Sequence, residues 1–101
     1  MADESIRLAR AAAEAALATE GIHTLGKGRY AEAATYGPGE KVSGVVVRDD
    51  AVEVHVVVGY PLSRPIPEIA RRVVERVSER TGGRRVAVVV EDLEVAEDEN
   101  L

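Results

Sequence analysis

Residues 59–83, GYPLSRPIPEIARRVVERVSERTGG, decide the fold, because this stretch contains the start, the body and the end of one amphipathic helix. Proline suits the first helical turn, where a backbone N–H has no partner, so Pro67 marks the start. Gly82-Gly83 marks the end. Between these signals the apolar residues recur at helical spacing: Ile66, Ile69, Ala70, Val73, Val74 and Val77. Two valine-rich runs, 52–58 and 86–90, flank the helix, so the sequence predicts strand, helix and strand in succession.

A second helix is predicted upstream, over residues 5–19. Asp3 or Ser5 offers a side-chain oxygen to its first N–H groups, and Gly21 stops it. Arg10 and Glu14 are four residues apart, which predicts a weak surface ion pair. Its apolar side comprises Ile6, Ala9, Ala13, Ala16 and Leu17. Because alanine has high helix propensity but buries little area, we expect this helix to lie close against a sheet.

The run at 52–58 has a partner upstream. Residues 42–48 and 52–59 are separated by Asp49-Asp50, which predicts an antiparallel hairpin. In the second run the valines at even positions share one face, while Glu53, His55 and Val57 share the other. We expect helices on the first face and solvent or a partner on the second. Residues 22–41 allow more than one interpretation: the piece 30–36, between two glycine-containing loops, fits an edge strand, a helical turn or a mobile loop.

These elements predict one α+β domain over residues 1–95, in the order α-β-β-α-β. An acidic tail at 96–101 is expected to be disordered. The sheet is mixed, with three or four strands, and both helices cover one of its faces. The last strand, 84–91, either pairs in parallel with the second run or skips it to pair antiparallel with the first. We prefer the skip, which leaves the strand at 42–48 in the centre.

The amino-acid composition excludes or disfavours several classes of function. The chain has no cysteine, which excludes disulfides, thiolate metal ligands and cysteine nucleophiles. Phe and Trp are absent and only three Tyr occur, which disfavours stacking on single-stranded nucleic acid. The net charge of −5 disfavours non-specific attachment to nucleic acid or anionic lipid. No run reaches the apolar length of a membrane span and the N-terminus does not resemble a signal, so we expect a soluble, cytoplasmic protein without direct membrane insertion.

No motif for catalysis is recognisable, and we assign no catalytic, cofactor-binding or metal-binding residue. His55 is interpreted as a partly exposed structural histidine, because no further ligands are spaced to join it. The segment 26–29, GKGR, lacks the phosphate-loop pattern and is interpreted as a flexible connector. The least ordinary feature is an arginine-rich region, residues 64–85, with seven Arg and three Glu. It is either a solvated helix face or a docking surface, whose partner-contacting residues would be Tyr60, Arg64, Arg72 and Arg76.

Four pieces follow one another along residues 6–95. An Ala-rich helix leads into GIHTLG at 21–26, a GVVV strand lies at 44–47, the helix block GYPLSRPIPEIARRVVERV lies at 59–77, and TGGRRVAVVVEDLEV ends the domain at 81–95. This order resembles the bacterial alkaline shock protein family, also called the envelope stress response family. The matching positions include Tyr60 shortly before the Ile66-Pro67 helix start and Thr81-Gly82 before the last strand.

The resemblance implies a small, non-enzymatic cytoplasmic protein that acts near the cell envelope through protein–protein contacts. The partner would be a membrane-anchored protein, or a second copy in a homo-oligomer, and no cofactor is implied. Two alternatives from other classes remain. A small sheet with a basic helix could engage RNA, which salt dependence would reveal. A small enzyme or ligand-binding subunit would need a pocket with convergent polar groups.

Overall fold

The computed structural model describes residues 2–30 and 32–95, and it has the α+β class that the sequence predicts. The predicted tail at 96–101 lies outside the described residues. The helices and strands are, in chain order, α1 (Ala2–Leu17), β1 (Ile22–Leu25), β2 (Ala34–Gly37), β3 (Glu40–Ser43), β4 (Val45–Val47), β5 (Ala51–Tyr60), α2 (Ile66–Arg80) and β6 (Arg85–Val95).

β5 is the central strand of a mixed four-stranded sheet. β6 pairs with it in parallel along its whole length, from Ala51↔Arg85 to Tyr60↔Val95. On its other side β4 pairs antiparallel with the first half of β5 and β1 with the second half. β2 and β3 form a separate two-stranded sheet. The preferred antiparallel skip is therefore wrong, because β4 is only three residues long and the ten-residue β5 takes the centre instead.

The core lies between the sheet and the two helices. The four even-numbered valines of β5, from Val52 to Val58, are fully buried, as their alternation predicts. Ile69, Val73 and Val77 of α2 pack into the same cluster, together with alanines of α1. Each such valine or isoleucine contributes about 1.5–3 kcal/mol by leaving water. Leu17, which we expected in the core, is half exposed, and Ala12 and Ala15 are buried instead.

The two helices begin and end for different local reasons. α2 is confirmed: it starts directly after Pro65, ends at Arg80, and is followed by Gly82 and Gly83 at φ +72° and +81°. α1 begins earlier than predicted, so Asp3 lies inside the helix and not at its cap. Neither α1 nor α2, the two helices of the described residues, is long and apolar enough to cross a membrane.

Two expected surface features of α1 differ in the structure. The predicted Arg10–Glu14 pair does not form. Arg10 instead binds Glu40 at the start of β3, and Glu14 binds Arg80 of α2 at 3.0 Å. The partners, Glu40 and Arg80, belong to other elements. These two ion pairs therefore connect α1 to β3 and α2 instead of stabilising α1 internally.

Gly44 divides the run that we predicted as one strand at 42–48. Its φ of +91° turns the chain out of the β2–β3 sheet and into the main sheet. A Cβ there would lie 2.8 Å from the Gly26 carbonyl oxygen, so the two backbones approach too closely for a side chain. Of the piece at 30–36, the residues from Ala34 onward belong to β2.

Candidate functional site

His55 lies on the face of β5 opposite the helices, and that face is not open. The residue is only 7% exposed, so the expectation of a partly exposed histidine is wrong. Its Nε2 lies 2.6 Å from a Glu53 carboxylate oxygen, and its Nδ1 lies 2.6 Å from Glu91 Oε2. The neighbouring Val57 is 9% exposed. The pattern of β5 predicts solvent or a partner on this face, whereas these two side chains are covered by the protein itself.

Glu91 reaches His55 because it occupies a β-bulge. Val56 is opposite Val90 and Val57 is opposite Asp92, so Glu91 is the extra residue of β6. A bulge bends the strand and re-aims the side chain of the inserted residue. Here the Glu91 carboxylate also accepts hydrogen bonds from the backbone N–H groups of Lys27, at 3.2 Å, and Gly28, at 2.7 Å.

The segment 26–29 is consequently held to the sheet. We interpreted it as a flexible connector, but two of its amides bind the Glu91 carboxylate. A Cβ on Gly26 would displace the Glu91 carboxylate from its present position, and Gly28 has φ +85°. Glycine at Gly26 therefore leaves space for the carboxylate, and glycine at Gly28 suits the turn.

The electrostatics of this cluster favour a charged imidazole. Burial of the ring opposes its charge, but the hydrogen bonds to Glu53 and Glu91 outweigh burial and raise the pKa of His55 above 6.5. The bond from His55, helped by Arg48 at 3.2 Å, lowers the pKa of Glu53. With carboxylates at both ring nitrogens, only the imidazolium supplies two N–H donors.

This arrangement joins β5, β6 and the loop at 26–29 and leaves little for chemistry. Both ring nitrogens are occupied, so neither is available to move a proton on a bound molecule. The two carboxylates lie on opposite sides of the ring and not around one point. Within residues 2–30 and 32–95 no three His, Asp or Glu side chains are placed to hold a metal ion.

Three of the residues predicted as partner contacts lie on or next to α2. Arg64 and Arg72 share the Glu68 carboxylate, at 3.1 and 3.5 Å, and Arg64 also approaches Glu20 at 3.6 Å. Arg76 is exposed and forms no ion pair with any described residue. The structure thus brings Arg64 and Arg72 together through a shared acid, which partly neutralises both.

Tyr60, the fourth predicted contact, belongs to an exposed apolar area that we call the end patch: Tyr60, Leu62, Leu93 and Val95. Their exposed fractions are 52%, 38%, 44% and 70%. Tyr60 follows the buried Val58 on the same face of β5. In the neighbouring strand Leu93 is paired with Val58, and Val95 is paired with Tyr60. Side chains of paired residues lie on the same face, so three of the four share one surface.

Leu93 and Val95 lie beyond the predicted last strand, which ends at Glu91. The signal was present, since DLEV at 92–95 continues the alternation of apolar and charged residues. The bulge at Glu91 shifts that alternation by one residue, so a strict alternation starting at Val86 ends there.

Comparisons of the chain with protein-family models, with curated proteins and with solved structures found no match.

Proposed function

We propose that this chain is a non-enzymatic interaction protein of the envelope stress response type, which binds a protein partner near the cytoplasmic side of the cell envelope. The end patch is the observation that carries the proposal. Three large apolar side chains, Tyr60, Leu93 and Val95, are between 44% and 70% exposed and share one face. Grouped exposed apolar side chains favour a contact with another protein, whereas scattered ones need no explanation.

The envelope location is supported by the resemblance of residues 6–95 to the alkaline shock protein family. The interaction class is supported by the site chemistry. His55, the most buried titratable side chain near the sheet surface, uses both nitrogens within the protein. The end patch contains Tyr60, an aromatic residue of the kind enriched at the centres of protein interfaces.

A matched pair of leucine variants tests the proposal. Leu93→Lys places a charge in the end patch, and Leu17→Lys makes the same change at a leucine of α1 that is 50% exposed. Each variant is tagged and expressed in the native host, and the membrane-associated proteins that it retains after mild cross-linking are identified by mass spectrometry. We expect wild type and Leu17→Lys to retain the same membrane-associated protein and Leu93→Lys to lose it. Equal retention by both variants, or none by wild type, would contradict the proposal.

A further inference from the structure

The outer edge of β6 is a second surface, separate from the end patch, and it consists of backbone. β5 pairs with one side of β6 along residues 85–95, and among the described residues no strand lies on the other side. The Arg85 N–H donates to the Asp50 carbonyl, 3.2 Å away, so Arg85 faces β5. Because backbone groups alternate in direction along a strand, the N–H and C=O groups of Val86, Val88 and Val90 face outward. An unpaired row of this kind is a template for another strand.

From Val86 to Val90, before the bulge, the edge has none of the residues that usually prevent an edge strand from pairing with another strand. Residues 86–90 are VAVVV, with no proline, lysine or other charge. The side chains of Val86, Val88 and Val90 are only half-buried beneath α2. Val74 and Ser78 of α2 line an open groove beside Val86. A strand added here would therefore gain apolar contacts as well as hydrogen bonds.

The distribution of charge along β6 indicates which strand could pair with its outer edge. Its first end carries Arg84 and Arg85, and its second end carries Glu91, Asp92 and Glu94. An antiparallel second copy places the basic end of one strand beside the acidic end of the other, whereas a parallel copy places like charges together. The antiparallel arrangement also closes by a two-fold axis, so it forms a dimer in which each copy uses the valine-rich part of the β6 edge.

We propose that two copies of this chain associate through antiparallel pairing of β6 with β6, with Val88 on the two-fold axis. Outward-facing residues meet outward-facing residues in this register, which allows about six backbone hydrogen bonds. The opposed residues are Val88 with Val88, Val86 with Val90 and Ala87 with Val89, and beyond them the basic residues 84–85 of each copy lie near the acidic residues 91–92 of the other. This inference does not depend on the end patch.

Proline at position 88 tests the pairing. The Val88 N–H faces away from β5, so Val88→Pro removes a bond to the partner copy and none within the chain. Sedimentation velocity over a range of concentrations should show a dimer for wild type and a monomer for Val88→Pro. Circular dichroism and urea unfolding establish that the variant is folded. A wild type that stays monomeric at the highest concentration overturns the proposal.

Cysteine cross-linking tests the register without relying on the proline variant. The natural chain has no cysteine, so every disulfide reports an introduced pair. Ala87 and Val89 are exposed and, in the proposed dimer, form a non-hydrogen-bonded pair with Cα atoms about 4.5 Å apart, within disulfide reach. A mixture of Ala87→Cys and Val89→Cys, one of them carrying a size tag, should give a linked dimer of unlike chains under mild oxidation.

The single variants complete the test. Val89→Cys alone would link only if Val89 lay on the axis, and Ala87→Cys alone only if Ala87 did. Linkage within either single variant that equals linkage in the mixture overturns the register. A dimer that forms normally while Leu93→Lys and Leu17→Lys retain the same membrane proteins would sustain this inference and contradict the proposed function. A wild type that is monomeric, and whose membrane partner is lost in Leu93→Lys, would contradict the dimer and support the proposed function.

Discussion

Among single residues, His55 links two properties of the protein: the charge of its imidazole ring and the attachment of the loop at 26–29 to the sheet. Its two N–H donors hold Glu53 of its own strand and Glu91 of β6, and Glu91 in turn holds the amides of Lys27 and Gly28. Loss of one proton from the ring leaves a lone pair facing a carboxylate oxygen. The cluster therefore depends on pH in a direction that its pKa shifts define.

We expect the free energy of unfolding to fall as the pH rises through the raised pKa of His55. Since folding raises that pKa above 6.5, the contribution is complete below 6.5 and is lost at higher pH. It amounts to about 1.4 kcal/mol for each unit by which folding raises the pKa. Folding lowers the pKa of Glu53 below 4.5, so its contribution is complete above 4.5 and is lost as the pH falls through the lowered value.

Urea unfolding between about pH 6 and pH 9 measures this effect, within the range where histidine titration matters. His55→Gln should flatten the pH dependence. His23→Gln is the matched control, because His23 is the only other histidine and its side chain is exposed on β1. If His55→Gln keeps the wild-type slope, the imidazolium does not stabilise the fold.

Removing the Glu91 carboxylate should release the loop at 26–29 specifically. In Glu91→Ala the amides of Lys27 and Gly28 lose their acceptor, so their hydrogen exchange should accelerate while the α2 amides stay protected. Glu94→Ala, an exposed acid further along β6, should leave both unchanged. Because the buried His55 loses one of its two charged partners, we also expect a decrease in stability of about 1–3 kcal/mol. Unaltered exchange at Lys27 and Gly28 would show that backbone contacts alone hold the loop.

At the scale of elements, Gly44 determines which sheet each half of a valine-rich run joins. Its φ of +91° is unfavourable for residues with a side chain, and its missing Cβ leaves space for Gly26 and Leu25. Gly39, in the turn between β2 and β3, also has positive φ, at +68°, but a Cβ there would meet nothing within 4 Å. A substitution at Gly39 therefore measures backbone strain alone, whereas one at Gly44 measures backbone strain together with steric contact.

Gly44→Ala should consequently destabilise the fold more than Gly39→Ala. Adopting a left-handed conformation costs alanine about 1–2 kcal/mol at either position. Gly44→Ala adds the displacement of the Gly26 carbonyl and the Leu25 side chain, so we expect a total loss above about 2 kcal/mol. Chemical denaturation of both variants gives the comparison. Equal losses would mean that the approach of β1 to the turn relaxes without cost.

The elements that the sequence predicts well are those whose signals are local. Pro67 and the Gly82-Gly83 pair define α2 within two residues, and the alternating valines identify the buried face of β5. The site at His55 was not predictable in this way, because Glu91 is 36 residues distant and reaches the ring only through a bulge. The strand order was missed for a similar reason: the shortness of β4 depends on a close approach between Gly44 and Gly26.

At the scale of the whole molecule, folding mixes charges that the sequence separates. The region 64–85 has an excess of four positive charges, from seven Arg and three Glu. In the structure acids from other segments approach it: Glu14 binds Arg80 at 3.0 Å, Glu20 lies 3.6 Å from Arg64, and Asp50 binds Arg85 at 3.2 Å. The basic surface expected from the sequence is therefore weaker than its composition indicates, which bears directly on the RNA alternative.

We expect no measurable binding of single- or double-stranded RNA near physiological salt. Arg71 and Arg76 are the exposed arginines of α2 that form no ion pair with a described residue, and two phosphate contacts supply little affinity against a net charge of −5. Fluorescence anisotropy at low and moderate salt measures this. Binding that weakens steeply with salt, and that Arg71→Glu with Arg76→Glu abolishes, would contradict the expectation. Arg7→Glu with Arg29→Glu makes the same charge change at two exposed arginines away from α2, so binding lost equally in this control would reflect net charge and not a site on the helix.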